Sequence, residues 1–159
     1  MSRNTLAVLC IWFILIGAIY TLADRIQNPN TLQSLGESNT VKLKRGPDGH
    51  YRSEALINGV KVDVLVDTGA TGVAISQKIA DKLQIKSINA IRTSTANGDS
   101  IAYMTRLSSV QIGGIRAKNV SAMIAPTLEG DVLLGMSFLG RMDVRLYQGE
   151  MTIKQVKDE

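Results

Sequence analysis

The sequence is poor in the side chains that most metal sites and covalent active sites need. It has one cysteine, Cys10, and one histidine, His50. A single cysteine excludes an intrachain disulfide and a cysteine-based metal site, and a single histidine excludes a multi-histidine metal site and argues against a Ser-His catalytic pair. We therefore predict no metal ion and no cofactor. We interpret His50, which lies in a turn-rich stretch, as a surface residue.

Basic clusters and aromatic residues are also scarce. Aromatic residues make up 4% of the chain, and the formal net charge is only +4, with the Lys and Arg residues scattered among strand-like and turn-like segments. A nucleic-acid groove would need a basic patch interleaved with aromatic side chains. We predict no nucleic-acid partner, and a solvated surface with mild attraction to anionic lipid headgroups.

Apolar residues, by contrast, are concentrated near the N-terminus. The stretch from Thr5 to Ala23 contains no charged residue, and as a helix it would be about 28 Å long, close to the thickness of the hydrocarbon core of a bilayer. We predict a short tail over residues 1–4 and a single transmembrane anchor over residues 5–23. Arg3 precedes the apolar stretch, which favours a cytoplasmic N-terminus and an exported C-terminal domain.

Two alternatives to an anchor are a cleaved signal peptide and a lipoprotein signal. Thr21-Leu22-Ala23 is a poor but tolerable cleavage site, although the apolar block is longer than a usual signal core. A lipoprotein signal ending at Cys10 is disfavoured because the preceding Leu9 is bulky. Residues 24–40 are polar and include Pro29 and Gly36, so we interpret them as a linker that lets two domains meet.

Residues 41–156 alternate short β-prone runs with turn signals, as in a single domain built from β-hairpins. Asn58-Gly59, for example, separates two such runs, and the second run, Val60 to Val66, has valine at every other position. This pattern predicts an all-β, barrel-like domain with a short helix capped by Ser76 and a helical turn over residues 136–142. The predicted strands cover residues 41–45, 50–57, 60–66, 88–96, 100–110, 115–125, 131–135, 143–147 and 151–155, and residues 157–159 form a tail.

Asp67 stands out because of its position. It directly follows the apolar residues Val64-Leu65-Val66 and precedes a turn of small residues, Thr68, Gly69, Ala70 and Thr71. Burying a lone carboxylate is costly unless it is hydrogen-bonded or partnered. A charged residue at the end of an apolar strand therefore suggests a function.

This segment, with apolar residues again at Val73 and Ile75, resembles the active-site signature of the retropepsin-like aspartic peptidases, of the bacterial membrane-anchored type. A second match is Leu133-Leu134-Gly135, which by resemblance packs behind the catalytic loop. The resemblance covers about residues 41–155 and implies a closed acid-protease β-barrel, here preceded by one transmembrane helix. It places the substrate-covering flap at the hairpin between the two motifs, formed by Ala96, Asn97, Gly98 and Asp99.

The resemblance also implies a mechanism and a partner. In this family two facing Asp carboxylates share one proton and activate a water molecule that attacks the peptide bond. This chain has one Asp-Thr-Gly motif and no internal repeat, so the second Asp67 would come from a twofold-related copy. By resemblance, Thr68 would hydrogen-bond to the partner's loop, Gly69 would let the substrate backbone approach, and Ala70 would form a small wall.

The sequence departs from the retroviral pattern at two positions. Thr71 stands where retroviral members carry Asp, and Met136 stands where they carry Arg, so the ion pair that braces their dimer is missing. Dimerisation would then be weaker or would depend on the membrane anchor to raise the effective concentration. By analogy with the family, the strand at residues 151–155 would contribute to the interface.

Taken together, we expect a homodimeric aspartic endopeptidase that acts on peptide substrates, with its domain on the periplasmic side of a bacterial inner membrane. A peptide-binding or dimerisation module without activity is the alternative, because a fold alone does not guarantee catalysis. A glycosidase using Asp67 with Glu129 or Asp131 is possible in principle, but nothing else in the sequence suggests a sugar site. Asp99, Asp131 and Asp143 are poor candidates for a second catalytic Asp, because none is followed by Thr-Gly or Ser-Gly.

Overall fold

The structure, a computed structural model, describes residues 3–27, 30–31, 38–95 and 98–156. Within these residues, a long helix precedes a domain of ten strands and two short helices. The helices are α1 (Arg3–Gln27), α2 (Gln77–Lys82) and α3 (Met136–Leu139). The strands are β1 (Thr40–Lys44), β2 (Tyr51–Ile57), β3 (Val60–Val66), β4 (Val73–Ile75), β5 (Ala90–Thr95), β6 (Gly98–Ile112), β7 (Ile115–Ile124), β8 (Val132–Leu134), β9 (Met142–Tyr147) and β10 (Glu150–Gln155). The predicted all-β class with short helices is confirmed.

Six of the strands form a closed ring. The larger sheet has the order β2-β3-β8-β4-β7-β6-β5, and β2 also pairs with β6. This closing contact is short: Leu56 and Ile57 lie opposite Gln111 and Val110. β5 stays outside the ring as the outer arm of the β5–β6 hairpin. The structure is therefore the closed barrel that the family resemblance implies.

Apolar side chains of the barrel strands pack into one core with those of the two short helices and of β1, β9 and β10. In β3 the alternating residues Val62, Val64 and Val66 are buried, whereas Lys61 and Asp63 are exposed, as expected for a strand with one face on the core. α2 begins where predicted, since Ser76 Oγ accepts a hydrogen bond from the Ile79 N–H. The largest fully buried side chains are Phe138, Leu43, Ile57, Ile75, Ile79, Leu107, Ile112, Ile115, Leu134, Leu139, Met151 and Ile153.

A second, three-stranded sheet is formed by the chain ends of the domain in the order β1-β10-β9. β10, the strand expected from family analogy to contribute to a dimer interface, lies in the middle, with β1 on one side and β9 on the other. Both of its edges are therefore already paired within one copy. The outer edge of β9 has no strand beside it among the described residues.

Helix α1 is exposed over residues 5–22, and its segment Thr5–Asp24 is long and apolar enough to cross a membrane. The helix continues to Gln27, past the predicted end of the anchor at Ala23. A further difference lies in the predicted linker, where Asn30 is buried and hydrogen-bonded to both β1 and β2. Its amide supplies donors and an acceptor to backbone groups that no neighbouring strand pairs, which is why this residue joins the fold.

Candidate active site

Asp67 begins the loop that connects β3 to β4, and β8 lies between these two strands. β8 runs parallel to β3, with Leu134 opposite Val66, and antiparallel to β4, with Leu133 opposite Ala74. The backbone N–H of Asp67 donates to the Leu134 carbonyl at 3.0 Å. The loop therefore leaves the barrel at the end of β8, and Leu133 and Leu134 lie directly beside it.

The Asp67 carboxylate is half-buried and held by the loop itself. The side-chain Oδ1 accepts a hydrogen bond from the Gly69 N–H at 2.8 Å, and the backbone carbonyl oxygen of Asp67 accepts one from the Ala70 N–H at 3.3 Å. Among the described residues, no Lys, Arg or His forms an ion pair with it. Thr68 and Gly69 are exposed. The second carboxylate oxygen is thus left for groups outside the loop.

Gly135 packs directly against the backbone of the Asp67 loop. The Met136 N–H donates to the Ala70 carbonyl at 2.8 Å, so the loop backbone rests on the residue that follows β8. A Cβ atom on Gly135 would overlap the carbonyl oxygens of Gly72 and Ala70. The glycine is required here by close approach of the backbones, and the structure brings Leu133, Leu134 and Gly135 together with the Asp67 loop.

Ser137 is a contributor to the site that sequence reasoning missed. Its Oγ accepts a hydrogen bond from the Val73 N–H at 2.9 Å and donates one to the Ser121 carbonyl at 2.7 Å. The hydroxyl thereby ties the end of the Asp67 loop to α3 and β7. The only sequence signal is a hydroxyl residue two positions after Leu133-Leu134-Gly135, which by itself predicts no contact.

The predicted flap is only partly described. Ala96 and Asn97 lie outside the described residues, whereas Gly98 and Asp99 begin β6 and are exposed. Gly98 has a φ of +102°, a conformation that favours glycine. Further along β6, Ser100 Oγ lies 3.0 Å from Thr127 Oγ1, which links the hairpin to the loop after β7.

The other acidic residues considered from the sequence lie apart from Asp67 or are paired. Asp131 precedes β8 at the end opposite Leu134 and forms an ion pair with Lys78 at 3.0 Å. Asp143 pairs with Arg145 at 3.0 Å, and the hydrogen bond to Asp143 raises the pKa of the Arg145 guanidinium. Glu129 is exposed in the loop before β8. None of these contacts supports a glycosidase pair with Asp67.

Thr71 and Met136, the positions where the retroviral bracing pair is missing, are both exposed. Neither side chain can form an ion pair, and the contact between their two segments is instead made by backbone, from Met136 N–H to the Ala70 carbonyl. The loop is therefore fixed within one copy without charged side chains.

Comparisons with known proteins show the family of the chain. The family model described as "gag-polyprotein putative aspartyl protease" matches residues 53–141. Two curated relatives, an uncharacterized protein from Sinorhizobium and one from Rickettsia prowazekii, are 33% and 36% identical over 108 residues, which are 65% and 66% of this chain. The match spans 46% of the length of each of these relatives.

Solved structures show the same fold. The crystal structure of a retropepsin-like aspartic protease from Rickettsia conorii is 32% identical, with a TM-score of 0.65 over 73% of this chain and 90% of the other. The protease of EIAV, in complex with the inhibitor HBY-793, is 19% identical, with a TM-score of 0.50 over 59% of this chain and 88% of the other, and this likeness concerns the fold alone. From the family match, the Rickettsia structure and the closed barrel, the chain belongs to the retropepsin-like aspartic proteases.

Proposed function

We propose that the chain is an aspartic endopeptidase in which Asp67 from each of two copies binds the catalytic water. The observation that carries this proposal is the position of Asp67 at the end of β3, half-buried, with one oxygen bonded to the Gly69 N–H and no cation beside it in the described part of the chain. Such a carboxylate is oriented by its own loop, while its other oxygen is left for water and for a second acid.

The chemistry follows from bringing two such carboxylates together. At close range both cannot ionise, so the pair holds one proton between them. The ionised carboxylate takes a proton from the water as it attacks the scissile carbonyl carbon, and the protonated one donates its proton to the carbonyl oxygen. The carboxylate that took the proton of water then gives it to the amide nitrogen, the other takes a proton from a hydroxyl of the adduct, and the C–N bond breaks to release an acid and an amine. Asp67 fills both roles, one in each copy. Because water is the nucleophile, no covalent intermediate with the enzyme forms.

Pairing of two copies is supported by two surfaces. Thr68, beside Asp67, is exposed and could hydrogen-bond to the partner's loop. β9 offers an unpaired edge among the described residues, near which Leu146 and Tyr147 are 54% and 73% exposed. Antiparallel pairing of two β9 edges around a twofold axis would give a six-stranded sheet. In this proposal β9, and not β10, forms the interface.

The substrate would lie as an extended peptide between the Asp67 loops and the β5–β6 hairpin. A strand-like peptide forms backbone hydrogen bonds with such elements and places its side chains alternately to either side. Residues 96–99 would cover it as the flap. Ile101 and Met104, both exposed on β6, supply apolar surface on this hairpin, which fits substrates with apolar side chains.

Helix α1 would anchor the enzyme in a membrane. The apolar segment Thr5–Asp24 has the required length, and with Arg3 on its N-terminal side we propose that the domain faces the periplasm of a bacterium. Anchoring confines two copies to one surface and raises their effective concentration, which compensates for the missing ion pair at Thr71 and Met136. Mass spectrometry of the membrane fraction distinguishes an anchor from a signal peptide cleaved after Ala23.

A digest of a peptide library by purified protein tests the activity. Asp67→Asn keeps the shape of the side chain and removes the acid, so we expect cleavage to fall by at least about 10³-fold, while sedimentation shows unchanged pairing. Asp131→Asn, which breaks only an ion pair with Lys78, is the matched control. Retained cleavage in Asp67→Asn would refute the assignment.

The second candidate is a module that pairs and binds peptide without cleaving it. The observation that favours it is the absence of the bracing ion pair at Thr71 and Met136. Without this pair the two Asp67 loops of a dimer could stay apart, and carboxylates that do not meet cannot share a proton. Cross-linking through Thr68→Cys in a Cys10→Ala background measures whether the loops meet. Cross-linking without any cleavage at acid or neutral pH favours the module.

A further inference from the structure

Asn30 connects the end of the anchor helix to the folded domain. It is only 4% exposed. Its side-chain Nδ2 donates to the carbonyls of Lys44 at 2.9 Å and Arg52 at 2.8 Å, and its Oδ1 accepts from the Lys44 N–H at 2.9 Å. Its own carbonyl accepts from the Glu54 N–H and from Ser53 Oγ, both at 3.2 Å.

These bonds make Asn30 a bridge between the two sheets. β1 pairs with β10, β2 pairs with β3 and β6, and no ladder joins β1 to β2 among the described residues. The amide of Asn30 takes the place of that ladder, with both N–H donors and the carbonyl oxygen in use. A buried amide with every donor satisfied is a specific contact, because its removal leaves the bonded backbone groups unpaired.

The position of Asn30 shortens the connection to the membrane. From Gln27, the last residue of α1, to Asn30 the chain makes three Cα-to-Cα steps, which span at most about 11 Å. If residues 24–40 formed a free flexible linker, their ends would be separated by roughly 20–25 Å on average and the domain could rotate freely. With Asn30 bound, only a few residues separate the helix from the barrel.

Asn30 also binds the end of β2 that lies next to the active-site strand. Arg52 is opposite Leu65 of β3, about 5 Å away, and Asp67 is two residues further along, about 7 Å. The Cα atoms of Asn30 and Arg52, whose residues share a hydrogen bond, are about 7 Å apart. Together these three distances place the Cα atom of Asp67 within about 20 Å of that of Asn30. The active-site loop is therefore within about 30 Å of the end of α1.

We propose that Asn30 locks the catalytic domain onto the membrane surface, so that it cleaves polypeptide segments that lie next to the bilayer. This inference rests on the proposed function, in which α1 is an anchor. We call the hydrogen bonds of Asn30 to β1 and β2 the lock. Lys44 and Arg45 are exposed beside it and form no ion pair in the described part of the chain, so their charges are available to the phosphate groups of anionic lipids. A reach of about 30 Å corresponds to roughly nine extended residues of substrate.

Two insertions test the lock, because we expect one of them to free the domain from the membrane surface and the other to have no effect. Ten Gly-Ser residues inserted between residues 27 and 30 lengthen the connection before the lock, whereas the same insertion between residues 31 and 38 lies behind it and leaves the lock intact. Neither insertion changes a described strand. A flexible linker would respond equally to both, because only its total length matters.

Energy transfer to the bilayer measures the result. The full-length protein carries Cys10→Ala and sits in vesicles that contain anionic lipids and an acceptor dye on the lipid headgroups. A donor dye is attached at one of two introduced cysteines. His50→Cys lies near Asn30, and Ser108→Cys lies near the Asn58 turn at the other end of β2. Both positions are exposed. In the parent protein we expect strong energy transfer from position 50 and weaker transfer from position 108. The insertion between residues 31 and 38 is expected to leave both transfer efficiencies unchanged, and the insertion between residues 27 and 30 to reduce the transfer from position 50. Equal effects of the two insertions would overturn the lock.

Cleavage of membrane-bound reporters tests the consequence for substrates. A sequence that the library digest identifies is placed about 5 or about 30 residues from the transmembrane segment of a single-pass reporter. The parent and the later insertion are expected to prefer the near site at least tenfold, and the earlier insertion to lose this preference. Equal cleavage of both sites by the parent overturns the inference.

The outcomes separate this inference from the proposed function. Absence of cleavage in every reporter, with the expected energy transfer, contradicts the peptidase assignment and the substrate class while it supports the lock. Protein that does not float with the vesicles contradicts the anchor, and the lock onto a membrane falls with it. Float and cleavage with equal responses to the two insertions overturn only the inference drawn from Asn30.

Discussion

The Ser137 hydroxyl and the Val73 N–H are 2.9 Å apart, and through this bond α3 holds the residue at which the Asp67 loop enters β4. The same hydroxyl donates to the Ser121 carbonyl on β7. We expect Ser137→Ala to leave both backbone groups without their partner and to lower the free energy of unfolding by about 1–3 kcal/mol. Ser108→Ala, at an exposed position, is the control, with both variants measured by urea denaturation.

If Ser137 positions the loop for catalysis, its loss also affects turnover. We expect Ser137→Ala to reduce kcat more than it raises KM, since the substrate groove would remain while the Asp67 carboxylate becomes less ordered. Unchanged kcat in a variant with reduced stability would restrict Ser137 to a structural role.

Gly135 has no room for a side chain, because a Cβ atom would meet the carbonyl oxygens of Ala70 and Gly72. We expect Gly135→Ala to displace the loop, to cost more than about 2 kcal/mol of stability and to abolish cleavage. Gly59→Ala is the matched control: Gly59 has a φ of +84° but nothing within contact distance. That variant is expected to lose about 1 kcal/mol and to keep its activity. Thermal unfolding and the peptide digest measure both effects, and equal losses in the two variants would contradict the packing argument.

Asn30 contributes to stability as well as to orientation. Asn30→Ala removes the side-chain bonds to Lys44 and Arg52, and we expect about 2–3 kcal/mol of destabilisation. Asn39→Ala is the control, because Asn39 is exposed and its bond to the Gln155 N–H uses only its backbone carbonyl. Similar melting temperatures for the two variants would show that residue 30 does not belong to the folded domain.

The edge of β9 is the predicted contact between copies. We expect Leu146→Asp to weaken dimerisation at least tenfold by placing a carboxylate in the paired sheet, without lowering the stability of the monomer, since Leu146 is 54% exposed. Val156→Asp, at a residue 51% exposed beyond β10, controls for the added charge. Analytical ultracentrifugation of both variants decides between this edge and another interface.

The sequence predicted the parts of the fold around Asp67 that depend on local pattern. The alternating valines of β3 and the small residues after Asp67 define a strand that ends in a tight loop. The apolar run at Leu133 and Leu134 belongs to a short strand in which Val132 and Leu134 are buried and Leu133 is half-buried. These features follow from strand periodicity and turn chemistry, which are visible in a few consecutive residues.

Contacts between distant residues could not be predicted in the same way. The pairing of Leu56 with Gln111 closes the barrel, yet neither residue differs from others in its strand. Ser137 and Asn30 act through single hydrogen-bonding groups, and a lone polar residue in a loop or a polar segment gives no periodic signal. Asn30 consequently fell within the predicted linker, because composition records that a segment is polar but not which of its amides is buried.

The central claim is that each active site needs Asp67 from two copies, and mixed dimers test it most directly. Wild-type protein at a concentration that saturates pairing is mixed with a threefold excess of Asp67→Asn protein, and the hydrolysis rate per wild-type chain is measured after exchange. If both carboxylates are required, only about one wild-type chain in four finds a wild-type partner, and the rate falls to about a quarter. A rate that does not change with added Asp67→Asn protein would mean that one copy is sufficient, and would contradict the shared site.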